Sequence, residues 1–293
     1  MKIGMNQAVM FSASTDEFLE LCSHYEIESV ELRVPKLKEW LYANTASNAR
    51  SRLKALNISV SAVNSLDDFG MVPKENLPIL RSEADFVGKL CEAVECPLVI
   101  APVGRWAGTP NLYTDEVMRI TLERLDLLTA ILKPYGVKVG IEPIAFPEFT
   151  IKTIQETDEL CRASGNSDNG LVVDYYNLFQ GGMQPEDFHA LESPVHMVHI
   201  NDAELYPADS LDVVSTRTFP GDGSIDVVEW TVEAVRSGYQ GVFSLEIFPR
   251  DLWDLDPRVA MHKTVQKMKR FTREVGDALE ERRRGVSNEG SSV

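Results

Sequence analysis

Four short apolar runs in the second half of the chain each carry, at or near their ends, a residue able to bind a cation. They read Val139-Gly140-Ile141-Glu142, Leu171-Val172-Val173-Asp174, Met197-Val198-His199-Ile200 and Phe243-Ser244-Leu245-Glu246. Three carboxylates and one imidazole brought to a single pocket strain against one another unless a cation lies between them. Hard oxygen donors with one nitrogen suit one divalent ion, Mn²⁺ first, with Mg²⁺, Co²⁺ or Zn²⁺ as alternatives, and an open coordination position would then accept substrate oxygens. Taken singly, each residue has a plainer reading. A lone Asp or Glu at a strand end is often a helix cap or an ion-pair partner, and a lone histidine is more often a satisfied core residue. Four together on consecutive runs favour the joint reading. The other histidines, His24, His189, His196 and His262, fall on helices or ahead of a strand and read as surface groups. His196 precedes His199 by three residues, which on a strand sends the two to opposite faces.

Such residues converge only if the runs lie side by side. Eight Val- and Ile-rich runs recur along the chain: Lys2–Met5, Ser29–Leu32, Ser59–Val63, Leu98–Ala101, Lys138–Glu142, Leu171–Asp174, Met197–Ile200 and Val242–Glu246. They are mostly apolar rather than alternating, as parallel strands covered on both faces should be. Helical patterns separate them: one opening at Ser14 or Thr15, then about Ala46–Leu56, Leu77–Ala93, Thr114–Tyr135 and Lys152–Ala163. A short one follows Pro185, another follows Asp226, and the last covers about Pro257–Leu279. Strict β/α alternation repeated eight times predicts an α/β fold, a (β/α)₈ TIM barrel, as a single domain over residues 1–279. The rival, a doubly wound open sheet, would advertise G-x-G-x-x-G in its first turn, and Gly4-Met5-Asn6-Gln7 does not. Residues 280–293 are charged, then Gly/Ser-rich, and are expected to form a flexible C-terminal tail.

In a barrel of this kind the C-terminal ends of the strands form the reactive face. Asn6, Glu31, Arg33 and Asn64 close the first three strands and join Glu142, Asp174, His199 and Glu246 there. The loop Arg217-Thr218-Phe219-Pro220-Gly221-Asp222-Gly223-Ser224-Ile225-Asp226 follows the seventh strand. Its plain reading is a tight turn ending in a helix cap at Asp226. Its functional reading has Arg217 reaching over the mouth to a substrate oxygen, with a phosphate nest as the weaker alternative. Trp106, Phe146, Tyr175, Phe179, Phe248 and Trp253 lie in loops after the strands, where rings can wall a sugar or simply pack.

Composition narrows the partners. The net charge of −16, from 45 acidic against 29 basic residues, repels phosphate backbones and argues against a nucleic-acid partner. The four cysteines form no C-x-x-C pair and read as reduced thiols. The N-terminus reads directly as a strand with no signal peptide, and no apolar run approaches the ~18 residues of a membrane span. A cytoplasmic protein with no membrane partner is expected.

The same residues resemble a known family. Met1-Lys2-Ile3-Gly4-Met5-Asn6, Glu31-Leu32-Arg33, Tyr135 to Glu142, Gly170 to Asp174, His199-Ile200-Asn201-Asp202, Pro220 to Asp226 and Ser244-Leu245-Glu246 are similar to the xylose isomerase-like TIM barrels of the sugar phosphate isomerase/epimerase group. The likeness runs over about residues 1–275 and is strongest to the inosose isomerase branch of myo-inositol catabolism. It implies that Glu142, Asp174, His199 and Glu246 hold one divalent metal, that Glu142 and Glu246 double as the acid/base pair, and that Arg217 contacts substrate. Two positions depart from the family pattern. Asn177 stands where a histidine is common; it can bond a hydroxyl but cannot take a proton. Pro143-Ile144-Ala145-Phe146 lacks the histidine that follows the fifth-strand glutamate in the inosose isomerases. The related DNA-repair endonucleases need more metal-binding histidines than this chain has.

The expectation is therefore a metal-dependent isomerase or epimerase of a ketose or keto-polyol, inosose-like, working by proton transfer through a metal-stabilised enediolate. The substrate contacts expected are Arg217, Asn177, Asn6, Asn64, Trp106 and Phe248. The partner is a small keto-sugar or keto-inositol, and family members often form homo-oligomers. The alternative is a lyase, an inosose dehydratase or an enzyme cleaving 3-keto-glycosides or C-glycosides, in which the same proton abstraction ends in β-elimination. A barrel that keeps the metal but has lost catalysis is the third reading.

Overall fold

The computed structural model describes residues 1–105, 115–204 and 216–289. The strands in chain order are β1 (Lys2–Asn6), β2 (Ser29–Arg33), β3 (Ser59–Asn64), β4 (Leu98–Pro102), β5 (Lys138–Glu142), β6 (Asn169–Asp174), β7 (Val195–Ile200), β8 (Asp202–Ala203), β9 (Arg217–Thr218) and β10 (Val242–Leu245). Strands β1–β7 and β10 close into one parallel barrel, with β10 seated between β7 and β1. This is the predicted (β/α)₈ barrel. The strands match the sequence reading closely; the largest difference is an earlier start for β6 and β7, at Asn169 and Val195. Strands β8 and β9 form a separate antiparallel pair above the barrel, which the sequence reading did not contain.

The period of two along each strand sorts the side chains. Leu32, Val63, Val99, Ile141, Val173 and Val198 point outward into the apolar layer under the helices. The opposite set points inward. Ala62, Leu98, Ile100, Val172 and Met197 make a small apolar plug inside the barrel. Two glycines thin the wall here: a Cβ on Gly4 would lie 2.6 Å from Val242 Cγ1, and one on Gly140 2.6 Å from Val172 Cγ2. Two residues further along the same inward rows stand Asn6, Asn64, Glu142, Asp174, His199 and, one residue past β10, Glu246. The pattern that fills the barrel thus also delivers the polar groups to its C-terminal mouth.

The helices are α1 (Thr15–His24), α2 (Val34–Ala43), α3 (Ala46–Ala55), α4 (Leu77–Ala93), α5 (Asp115–Leu132), α6 (Ile154–Ser164), α7 (Tyr175–Gln180), α8 (Val227–Arg236), α9 (Arg250–Trp253) and α10 (Pro257–Glu289). Local chemistry starts several of them. Ser14 accepts from the Glu17 amide, Thr153 and Glu156 form a reciprocal capping box, and Asp226 accepts from the Glu229 amide. Three helices lay outside the sequence reading: α2, entered through Pro35, and the short α7 and α9. Helix α10 continues to Glu289 rather than ending near Leu279. Glu280 and Arg284 pair one turn apart at 3.0 Å, and Arg282 reaches Glu229 and Glu233 of α8. Among the described residues no helix is long and apolar enough to cross a membrane.

Candidate metal centre

Glu142, Asp174, His199 and Glu246 each offer one ligand atom, and these four atoms all lie within 4.8 Å of one another. His199 Nδ1 is the hub. It stands 3.2 Å from Glu246 Oε2, 3.4 Å from Glu142 Oε1 and 4.0 Å from Asp174 Oδ2. Strand pairing sets this spacing: Asp174 and His199 are register partners on β6 and β7, and His199 pairs with Ser244 on β10.

Asp174 and Glu246 are each held by further bonds. The Asp174 carboxylate caps α7 by accepting from the Asn177 amide (2.9 Å) and also accepts from Asn201 Nδ2 (2.6 Å). The cap reading of this residue therefore holds, and the same carboxylate still belongs to the candidate metal-binding group. Asn201 is fixed in turn, its Oδ1 accepting from the Tyr176 amide. Glu246 Oε1 accepts from Asn6 Nδ2 and Asn64 Nδ2, each at 3.1 Å, and from Arg33 Nη1 at 3.3 Å. Arg217 spans two carboxylates, with Nη2 3.3 Å from Asp174 Oδ1 and Nη1 3.3 Å from Glu246 Oε2.

The charge of the cluster calls for a cation. Burial drives the Glu142 carboxyl up to about 7, against the pull of His199. Burial likewise raises Asp174, exceeding the pull of Arg217. Burial also acts to raise Glu246, but His199, Arg217 and Arg33 outweigh it and hold the group far below the ordinary carboxylate range. Burial alone would discharge His199, yet Glu246, Glu31 and Glu142 hold it well above the usual imidazole range. Arg33 and Arg217 offset only part of the negative charge, and the raised Glu142 and His199 values follow from what is left. Three carboxylate oxygens and one imidazole nitrogen, buried and convergent, fit a divalent ion in that role.

The mouth above these groups is a cavity of about 260 Å³. Of the four ligands only Glu142 and Glu246 line it; Asp174 and His199 lie beneath. Arg33, Asn64, Arg217 and Phe248 complete one side. The Phe248 ring carries the Arg33 and Arg217 guanidiniums at 5.8 and 5.6 Å. Asn6 is buried below, bonded to Glu246 and to the Ala8 amide. Asn177 is buried beside Asp174 with both amide atoms lacking a partner, and Arg217 Nε is likewise unpartnered. Trp106 lies outside the described residues. Tyr175 packs in the core against Trp230, and Trp253 donates to the Ala8 carbonyl, so neither walls the mouth.

The Gly-rich loop after β9 takes the plain reading, with an addition. The Asp202 carboxylate fills its nest of backbone N–H groups: Oδ2 accepts from Gly221 (3.0 Å) and Gly223 (2.9 Å), and Oδ1 from Ile225 (2.9 Å) and Ala203 (2.8 Å). No room is left for a phosphate. The nest ties the loop to β8, and β8 pairs Ala203 with Arg217, which places the guanidinium. Asp202 stood in the sequence next to the His199 run but carried no signal of this role. Glu31 and Arg33 were legible as polar residues closing β2, yet not as neighbours of the four ligands.

A closed parallel barrel with three carboxylates and one histidine at its C-terminal mouth defines a class of divalent-metal barrels. The family model for the xylose isomerase-like TIM barrel matches residues 19–274, and the chain belongs to that family. It is 28% identical to an inosose isomerase of Halalkalibacterium halodurans over 265 residues, 89% of this chain and 93% of that one. It is 25% identical to a 3-dehydroshikimate dehydratase of Pseudomonas aeruginosa, over 82% of this chain and 37% of that protein. Its fold matches the crystal structure of the IOLI protein with a binding zinc atom at a TM-score of 0.85, with 23% identity over 92% of this chain and 98% of that one.

Proposed function

We propose that the chain is a metal-dependent isomerase of a keto-inositol or a closely related ketose. The observation that carries this reading is the division of the four ligands: two carboxylates, Glu142 and Glu246, face the cavity, while Asp174 and His199 stay beneath them. When bound, a divalent ion, for which Mn²⁺ is our first choice, would polarise the substrate carbonyl and acidify the adjacent C–H. One of the two facing carboxylates takes the proton from the carbon next to the carbonyl. The resulting enediolate takes a proton, at the neighbouring carbon or on the opposite face, from the other glutamate, which enters the step as the carboxylic acid. Arg217, with Asn64 and Arg33 beside it, orients the substrate oxygens, and Phe248 forms an apolar wall. Asn6 acts from below through Glu246, Trp106 belongs to the same contact set, and the unpartnered Asn177 amide awaits a hydroxyl. A cavity of about 260 Å³ lies below the roughly 300–1,000 Å³ of drug-sized pockets and suits a single polyol ring. The names of the curated relatives, the inosose isomerases, support this substrate class. A role in inositol catabolism, a cytoplasmic location, a homo-oligomeric assembly and a single barrel domain over residues 1–279 belong to the same proposal.

The likeness to the 3-dehydroshikimate dehydratase favours one second reading. In it the first proton transfer is the same, and the electron pair then expels a β-hydroxyl, which takes a proton from the acid form of the other glutamate and leaves as water. Proton NMR in D₂O separates the two. Mn²⁺-loaded protein mixed with inososes, free ketohexoses and 3-keto-glucosides should place deuterium beside the carbonyl of one inosose and yield an isomer, with Glu246→Gln inactive. Loss of a β-substituent would establish the lyase, and no exchange with any substrate would overturn both.

A further inference from the structure

One buried carboxylate at the barrel axis is not among the four ligands. Glu31, on β2, is fully buried and pairs with Asn6 in the strand register. Its Oε2 lies 3.1 Å from His199 Nε2 and accepts from Ser244 Oγ at 2.8 Å. Its Oε1 accepts from Asn64 Nδ2 at 2.5 Å. We propose that Glu31 is a positioning residue that keeps the proton of His199 on Nε2 and so turns the Nδ1 lone pair towards the cation; this rests on the metal-centre reading above.

The assignment follows from donor and acceptor rules, starting at Arg33. A guanidinium only donates. Arg33 Nη1 donates to Asn64 Oδ1 at 2.6 Å, so the Asn64 amide has its oxygen towards Arg33 and its NH₂ towards Glu31. An ionised carboxylate only accepts. Glu31 therefore takes one hydrogen from Asn64, one from Ser244 and one from His199 Nε2. A neutral imidazole with its hydrogen on Nε2 has its lone pair on Nδ1, and Nδ1 is the atom around which Glu142, Asp174 and Glu246 gather. A ligating histidine whose other N–H is held by a carboxylate is fixed in tautomer and ring orientation and is a stronger base. A glutamine in place of Glu31 cannot satisfy both sides. With its NH₂ towards Asn64 two donors meet, and with its NH₂ towards His199 the imidazole is driven to the wrong tautomer. Asn64 also donates to Glu246 Oε1, so the same chain of bonds aligns a second ligand.

The test uses the full chain with ¹⁵N-labelled histidine, loaded with Zn²⁺ because that ion is diamagnetic. Long-range ¹H–¹⁵N correlation, with His199→Gln to assign the ring, should find Nδ1 metal-bound and a slowly exchanging, far-downfield proton on Nε2. Equilibrium Zn²⁺ affinity, read by competition with a chromophoric chelator, should fall roughly 10–100-fold in Glu31→Gln. Glu31→Asp, which keeps the acceptor, should recover part of that loss and retain the downfield proton. Ser244→Ala removes a bond to the same carboxylate without touching the ring, and it should keep the Nε2 proton in place. Circular dichroism of each variant separates lost metal from lost fold. A wild-type chain that takes up no divalent ion would overturn the metal centre and this proposal with it. Zn²⁺ uptake with the proton on Nδ1, or a folded Glu31→Gln with wild-type affinity, would overturn the proposal alone.

Discussion

Arg217 Nη1 lies 3.3 Å from Glu246 Oε2 while its Nη2 lies 3.3 Å from Asp174 Oδ1, so one planar fork spans two of the four ligands. Its guanidinium also sits over the Tyr176 and Phe248 rings at 5.3 and 5.6 Å. A lysine supplies the charge but neither the fork nor the stacking. Arg217→Lys should therefore lower kcat/KM at least about tenfold, a loss of about 1.4 kcal/mol of transition-state stabilisation. Steady-state kinetics on the inosose identified by deuterium exchange would check this; wild-type kcat/KM would remove Arg217 from the substrate site.

Metal uptake should depend on pH in a defined direction. Without a cation the protein holds Glu142 up to about 7 and His199 well above the usual imidazole range. A cation needs both groups deprotonated, so binding must release protons. Affinity should weaken as pH falls through about 7 and tighten above it. Calorimetric titration in two buffers of different ionisation enthalpy reads the released protons directly; an enthalpy independent of buffer would contradict the expectation.

The Asp202 carboxylate accepts four backbone N–H groups while being fully buried. Asp202→Ala leaves the Ile225 and Ala203 amides as buried orphans, at about 1–3 kcal/mol each, and frees the Gly221 and Gly223 amides nearer the surface. A drop in Tm of several degrees, with kcat/KM reduced because β9 carries Arg217, is expected in thermal melts and kinetics. Gly223→Ala should act similarly, since its Cβ would lie 2.4 Å from Asp202 Oδ1 and 2.5 Å from the Ala203 carbonyl oxygen. Unchanged melting of both would deny the nest its anchoring role.

Glu233 of α8 gives stability its own pH dependence. Burial acts to raise this carboxyl, but His189, Arg236 and Arg282 prevail and hold it below its ordinary value. His189 Nε2 is 2.6 Å and Arg236 Nη1 2.7 Å from the carboxylate. A carboxyl whose folded-state pKa is depressed stabilises the fold above its unfolded pKa of about 4.3, and that stabilisation disappears as pH falls through the lower folded value. Glu233→Gln should cost about 1–2 kcal/mol near neutrality, and the gap to wild type should close below about pH 4. Denaturant melts at a series of pH values would show it; a gap that stays constant would exclude the ionic origin.

The strands were legible because they are apolar runs of four to six residues, and reading off what closes each run was enough to find Glu142, Asp174, His199 and Glu246. The loops were less so. Helix α7 is capped by the candidate metal ligand Asp174 itself, in a stretch where Tyr175 and Tyr176 carry no 3.6-residue pattern long enough to register. Helix α10 outlasts its apolar face where Arg282, past Leu279, pairs with Glu229 and Glu233 of α8. The bonds around Glu31 were hidden for a geometric reason. They join β2 to β3, β7 and β10, elements separated by up to 213 positions in the chain, and only barrel closure brings them together.

One consequence of the inward rows concerns what kinds of change the gene can tolerate. Met197 and His199, Val172 and Asp174, and Leu98, Ile100 and Pro102 are counted in twos along single strands. Adding one residue between plug and mouth in β6 would rotate Val173 into the ligand position and turn Asp174 towards the helices. Such a frame error inside a strand would erase the centre while leaving composition and hydrophobicity almost unchanged. The same insertion in a loop below the barrel would not alter the count. An insertion that spares the centre must therefore fall in the connections, and the parity of each strand acts as the address of the side chain it delivers.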